Sequence, residues 1–283
     1  MIGITECPRD AMQGFEKMIS TETKIEYLNQ LLKVGFTILD CGSFVSPKAI
    51  PQLADTSDVL QAIDTTNSKS KLLVIVANER GAENAVKQDK IQILGFPFSI
   101  SEQFQLRNTK QTIQKALIRL QNIQNIADDG KKEVLAYLSM GFGNPYGDEY
   151  SVQIANDWCS RLSDLGIQQI NLSDTIGKAH TDDIKNLFEI CQSKLPHIRF
   201  GAHFHTHPGN EYRNLKAAYD AGCQNFDSAM KGFGGCPFAD DHLTGNLPTE
   251  NLIQFLNNEG ENIDFIQNQE FQSALSLAAK VFS

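Results

Sequence analysis

TKIEYLNQLLKVGFTILDC, residues 23–41, carries two hydrophobic periods in succession. Ile25, Leu28, Leu31 and Leu32 recur at three- and four-residue steps, as on one face of a helix, and Thr23 with Glu26 has capping-box spacing. FTILDC (36–41) is then a short apolar run of strand length. The same alternation runs along the whole chain. Strands are predicted at IGITE (2–6), FTILDC, LLVIVA (72–77), IQILGF (91–96), EVLAYLS (133–139), QQINLS (168–173), IRFGAHF (198–204) and CQNFDSA (223–229). Amphipathic segments lie between them, as in TIQKALIRLQNIQNI, where Ile113, Ala116, Leu117, Leu120 and Ile123 share a face. Strand-to-helix alternation implies parallel strands, and eight units point to an α/β fold of the closed (β/α)8 TIM-barrel type. No G-x-G-x-x-G follows the first strand, which weighs against an open dinucleotide-binding sheet.

The length of 283 residues suits one barrel, so residues 1–283 are expected to form a single domain. Helical segments near 248–258 and 267–281 would make a C-terminal appendage from about residue 248. A formal charge of -9 and the absence of any basic block argue against nucleic acid and anionic membranes as partners. MIGITECPRD lacks the basic and apolar regions of a secretion signal, and no run approaches about 18 apolar residues, so a cytoplasmic location is expected. Cys7, Cys41, Cys159, Cys191, Cys223 and Cys236 show no C-x-x-C pair, which suggests reduced core thiols for most of them.

A parallel barrel collects its chemistry at the C-terminal ends of its strands. There this chain has Arg9 and Asp10 after the first strand, Asp40 and Ser43 after the second, and Asp174 and Thr175 after the sixth. His203, His205 and His207 follow in GAHFHTHPGN (201–210), and Cys236 and Asn246 come after the eighth strand. Histidines at i and i+2 of a strand point the same way, and neutral imidazole is the commonest metal ligand. Asp10, His203, His205 and Asn246 together offer two nitrogens and two oxygens, a mixture that suits Mg²⁺ or Mn²⁺ and is compatible with Zn²⁺. Arg9 reads either as a surface ion pair with Asp10 or as a group that stabilises an enolate beside the metal. Cys236, in GFGGCP (232–237), reads either as an incidental loop thiol or as a proton donor over a site.

PRDAMQ (8–13), SFVSPKAIPQ (43–52), SDTIG (173–177), AHFH (202–205), GGCP (234–237) and GNLPTE (245–250) occur in an order that resembles the 3-hydroxy-3-methylglutaryl-CoA lyases. These lyases belong to a wider group of metal-dependent barrels that includes isopropylmalate and homocitrate synthases. The resemblance covers nearly the whole chain. It implies metal ligation by Asp10, His203, His205 and Asn246, enolate stabilisation and substrate contact by Arg9, and a catalytic thiol at Cys236. It also implies a catalytic place for Asp40 and substrate contacts from Gln13, Ser43, Asp174 and Thr175. The implied reaction is divalent-metal-dependent cleavage of 3-hydroxy-3-methylglutaryl-CoA, or a related tertiary 3-hydroxyacyl-CoA, to acetyl-CoA and acetoacetate or the corresponding keto product. The implied partner is an acyl-CoA, and a homodimer is compatible with it. His203, Asp10 and Asp40 are all candidate bases. A Claisen-type synthase and a catalytically idle paralogue that binds an acyl-CoA or metal are the alternatives. Departures from the family pattern are Asp40 in place of Glu, THPG (206–209) in place of a DTYG-type sequence, and Asn171 and Ser173 before SDTIG's aspartate.

Overall fold

The computed structural model describes residues 2–206, 211–235 and 245–283. Eight parallel strands close into a barrel: β1 (Gly3–Glu6), β2 (Ile38–Ser43), β3 (Lys71–Ile75), β4 (Ile91–Ser99), β5 (Glu133–Ser139), β6 (Gln169–Asp174), β7 (Arg199–Thr206) and β8 (Asn225–Ser228). Each strand pairs with the next, and β1 closes the ring on β8 with Gly3 opposite Asn225 and Glu6 opposite Ser228. The predicted strands are all present, with ends displaced by at most three residues. A short ninth strand, β9 (Gly245–Asn246), was not predicted and runs antiparallel to β7, setting Asn246 opposite His205.

Strand alternation divides the apolar residues between two cores. Leu73, Ile75, Ile93, Leu135 and Tyr137 form one cluster, while Leu72, Val74, Leu94, Val134, Ala136 and Leu138 belong to the larger one shared with the helices. Adjacent residues thus separate the barrel interior from the strand–helix layer.

The helix Thr21–Val34 starts earlier than the capping-box spacing predicts. Ser20 is its N-cap, with Oγ accepting from the Thr23 backbone N–H at 3.2 Å. Thr23 is therefore inside the first turn, where its N–H is one of the donors needing a cap. The helix ends at Gly35, whose φ of 92° lies in the left-handed region that glycine enters without strain. Helix Gln269–Val281 packs along it, and the Phe282 ring meets Tyr27 and Phe15 edge-on.

Glu6 is fully buried where β1 meets the turn after β8 and the start of helix Thr249–Asn258. The Met230 N–H donates to its Oε1 at 2.8 Å and the Thr249 hydroxyl to its Oε2 at 2.6 Å. Burial raises its pKa to about 8, against the lowering effect of these two bonds. The folded carboxyl thus holds its proton up to about pH 8, whereas the unfolded one releases it near 4.5. Its contribution to stability is complete below pH 4.5 and is lost as pH rises through 8. Glu6→Gln cannot ionise, so melting temperatures should show the variant gaining on the parent across that window, by on the order of a few kcal/mol. Parallel stability curves for the two proteins would refute a protonated Glu6.

Candidate active site

At the C-terminal end of β1 the chain turns at Cys7 into the short helix Pro8–Gln13, which carries Arg9 and Asp10 inward. The Arg9 side chain is buried and spans two carboxylates. Its Nε and Nη2 donate to Asp40 Oδ2 at 2.9 and 2.6 Å, and its Nη1 donates to Asp10 Oδ1 at 2.8 Å and Gln13 Oε1 at 2.9 Å. This is a buried fork between strands, not a surface ion pair. Burial raises the Asp40 pKa to about 6 in spite of Arg9, and its Oδ1 has no hydrogen-bond partner among the described residues. Burial would also raise Asp10, but the charge of Arg9 outweighs it and, with the Asn246 hydrogen bond, holds that carboxyl well below the usual range.

Each imidazole has its Nδ1 held by an oxygen. His205 Nδ1 lies 2.9 Å from the Thr175 carbonyl oxygen, which can only accept, so Nδ1 carries the proton. Its Nε2 is then a bare lone pair, buried and without a partner among the described residues. His203 Nδ1 lies 3.1 Å from Asp227 Oδ2, and an ionised carboxylate can only accept, so this nitrogen carries a proton. Donor atoms of Asp10, His203 and His205 all lie within 4.8 Å of one another. Asn246 joins them by donating from Nδ2 to Asp10 Oδ2 at 2.8 Å and to the Phe233 carbonyl at 2.9 Å, so Oδ1 is the atom it can offer a cation. An orphaned buried nitrogen beside a carboxylate held ionised is a donor set that fits a divalent metal. Burial and the neighbouring His203 lower the His205 pKa to about 4, which keeps the ring neutral.

Gly234 shows why the loop before Cys236 is rich in glycine. Its φ is 93°, and a Cβ there would lie 2.7 Å from Ala11 Cα and 2.8 Å from Asn246 Nδ2. The loop backbone therefore packs directly against the Asp10–Asn246 pair. Cys236 and His207 lie outside the described residues.

The other sequence candidates are rim residues engaged in local bonds. Asp174 accepts from the backbone N–H groups of Lys178 and Ala179, and the Thr175 hydroxyl accepts from the Met140 N–H. Ser43 Oγ accepts from the Val45 N–H. The register between β2 and β3 shifts between Asp40 and Gly42, a local irregularity of the kind common beside active sites. Two further residues in the cluster, Asp227 and Tyr137, were not singled out from sequence. Asp227 accepts from both His203 and Asn171, the latter at 2.9 Å through Nδ2, and the Tyr137 ring meets the His203 ring edge-on at 5.3 Å. Tyr137 is a polar member of an apolar strand run and Asp227 alternates with Phe226 in β8, and that alternation was the available signal.

A closed parallel barrel with a candidate His/Asp metal site at the C-terminal ends of its strands defines the class: an α/β barrel whose chemistry is gathered at that rim. The chain matches the HMGL-like family over residues 4–281 and belongs to that family. It is 32% identical over 271 residues to the hydroxymethylglutaryl-CoA lyase YngG of Bacillus subtilis, covering 96% of this chain and 88% of that protein. It is also 32% identical over 252 residues to the 3-hydroxy-3-isohexenylglutaryl-CoA/hydroxy-methylglutaryl-CoA lyase of Pseudomonas aeruginosa, covering 88% and 82% of the two chains. Among solved structures it is similar to an HMG-CoA lyase from Acinetobacter baumannii in complex with coenzyme A and 3-methylmalate, with a TM-score of 0.88, 29% identity, and 99% and 92% of the chains covered. Among the described residues no helix is long and apolar enough to cross a membrane.

Proposed function

We propose that the chain is a divalent-metal-dependent carbon–carbon lyase that cleaves 3-hydroxy-3-methylglutaryl-CoA, or a related tertiary 3-hydroxyacyl-CoA, to acetyl-CoA and a keto product. The observation that carries this reading is the bare, buried Nε2 of His205 beside Asp10 and His203, with Arg9 joined to the same carboxylate. Asp10, His203, His205 and Asn246 would hold Mg²⁺ or Mn²⁺, which supplies Lewis acidity toward substrate oxygen when bound. Coenzyme A in the related Acinetobacter structure supports an acyl-CoA substrate. The two names carried by the Pseudomonas relative show that acyl chains vary among similar proteins, and Asp40 and Asn171 are where this chain departs from the family pattern.

Asp40 is placed to take the proton of the 3-hydroxyl, because its Oδ1 has no partner among the described residues and burial gives the carboxyl an unusually high affinity for a proton. Asp10, held ionised, is the poorer base. As the C2–C3 bond breaks, its electron pair becomes the thioester enolate and the hydroxyl carbon becomes the ketone. The Arg9 guanidinium stabilises the enolate oxygen, and the Cys236 thiol protonates the enolate carbon. The thiolate recovers its proton from solvent, to which Asp40 releases the one it took, so the net result is transfer of the hydroxyl proton to C2. Gln13, Ser43, Asp174 and Thr175 border the substrate on the rim.

Turnover of a panel of tertiary 3-hydroxyacyl-CoAs with added Mn²⁺ tests the reading, and acetyl-CoA release from at least one is expected. Condensation of acetyl-CoA with a keto acid, without cleavage, would make the protein a synthase; binding with no turnover would make it an idle paralogue. On the best substrate, Cys236→Ser should lower kcat by about 10²-fold, since a hydroxyl is a far weaker acid than a thiol, with Mn²⁺ binding retained. A parent-like rate would remove Cys236 as the proton donor.

A further inference from the structure

Beside the candidate centre lies a second donor set that shares His203 with it and adds two residues the proposed reaction does not use. Cys7, which follows β1, places Sγ in one group with His203 and Asp227, whose donor atoms lie within 4.8 Å of one another. Cys7 and Asp227 are buried, and His203 Nδ1 faces Asp227 Oδ2 at 3.1 Å, a separation suited to two ligands of one tetrahedral ion. The two sets differ in softness: the Asp10 set offers nitrogen and oxygen, the Cys7 set thiolate, imidazole and carboxylate.

We propose that Cys7, Asp227 and His203 Nδ1 form a binding site for a thiophilic divalent cation of the Zn²⁺ class, and that its occupation excludes the metal held by Asp10, His203, His205 and Asn246. The exclusion follows from the His203 ring. A neutral imidazole has one lone-pair nitrogen, which is Nε2 while Nδ1–H bonds to Asp227. A cation on Nδ1 requires the ring proton to sit on Nε2, and His203 is then lost to the Asp10 set. The Cys7 thiol gives up its proton to solvent as the metal–sulfur bond forms, so one proton is released per cation and no oxidant or reductant is needed. The site would make the enzyme sensitive to soft metals through a residue outside its reaction. The Cys7 site stands on its own geometry; the exclusion rests on the functional reading above.

Cd²⁺ is a suitable probe, because its thiolate complexes absorb in the ultraviolet. Full-length, metal-free protein carrying Cys236→Ala, which removes the loop thiol, is titrated anaerobically. One equivalent of Cd²⁺ should produce thiolate-to-metal absorption that a further Cys7→Ala or Cys7→Ser change abolishes. Asp227→Asn should keep the band and weaken Cd²⁺ binding by about tenfold or more. A band of equal size after loss of Cys7, or no band in the starting protein, overturns the site. In a second arm Mn²⁺ is loaded first and its release by Cd²⁺ is followed by electron paramagnetic resonance. Release from the Cys7→Ala protein should need at least about tenfold more Cd²⁺ than release from its parent. Equal Cd²⁺ dependence overturns the exclusion. Failure of the parent to bind Mn²⁺ at all overturns the functional reading and the exclusion with it, while the absorption titration still decides the Cys7 site.

Discussion

His205→Ala should abolish stoichiometric Mn²⁺ binding and lower turnover by about 10³-fold, because Lewis-acid assistance is worth several kcal/mol and each 1.36 kcal/mol is tenfold in rate. The ring is held by its Nδ1–H bond to the Thr175 carbonyl, so its bare Nε2 points to one place. Alanine removes that nitrogen and leaves room for water, which cannot restore the same affinity or orientation. His205 is buried but polar at both nitrogens, so the variant should fold, which a thermal melt checks. Unchanged metal content and rate would refute the ligand assignment.

Arg9→Lys should lower kcat by about 10²- to 10³-fold while KM moves little, as expected for a group whose largest interaction develops with the enolate. The guanidinium reaches Asp40 through two nitrogens and Asp10 and Gln13 through the third. One ammonium lacks this fork, so a buried carboxylate loses its charged partner and the charge beside the enolate is displaced. Steady-state kinetics with the best acyl-CoA checks this. An effect confined to KM would make Arg9 a substrate-binding residue only.

The strands were legible because each is a short apolar run between polar helical segments, and the eightfold count led directly to the barrel. The exact start of the first long helix was not, since Ser20 and Thr23 both precede apolar periodicity and only the backbone bond between them shows which one caps. Arg9, Asp10, Asp40, His203, His205 and Asn246 were readable as a set because strand ends converge in a barrel. What brings Asn246 to His205 is the two-residue β9, too short to leave a pattern. Asp227 and Tyr137 were hidden for a different reason. A polar residue inside a strand looks like a tolerated exception until its partners on neighbouring strands are known, and for Asp227 those are His203, opposite it on β7, and Asn171 on β6. Glu6 was hidden in the same way, between β1 and residues more than 200 positions distant.

The seam between β1 and β8 has a consequence for the lifetime of the site. Arg9 finds Asp40 across 31 residues, but Asp10 meets Asn246 across 236, and Glu6 meets Thr249 across 243. Contacts of such separation carry a large loop-closure cost and form late, so the Arg9–Asp40 half of the site can precede the rest during folding. In the native state the same seam joins four residue pairs, against seven between β4 and β5. A transient parting of β1 from β8 would separate Asp10 from Asn246 while leaving most of the barrel wall paired, a local opening rather than global unfolding. On heating, loss of activity should therefore keep step with amide exchange along β1 and β8 and run ahead of exchange in β4 and β5. The durability of the site is then set by the strand joins around β1, not by the stability of the barrel as a whole.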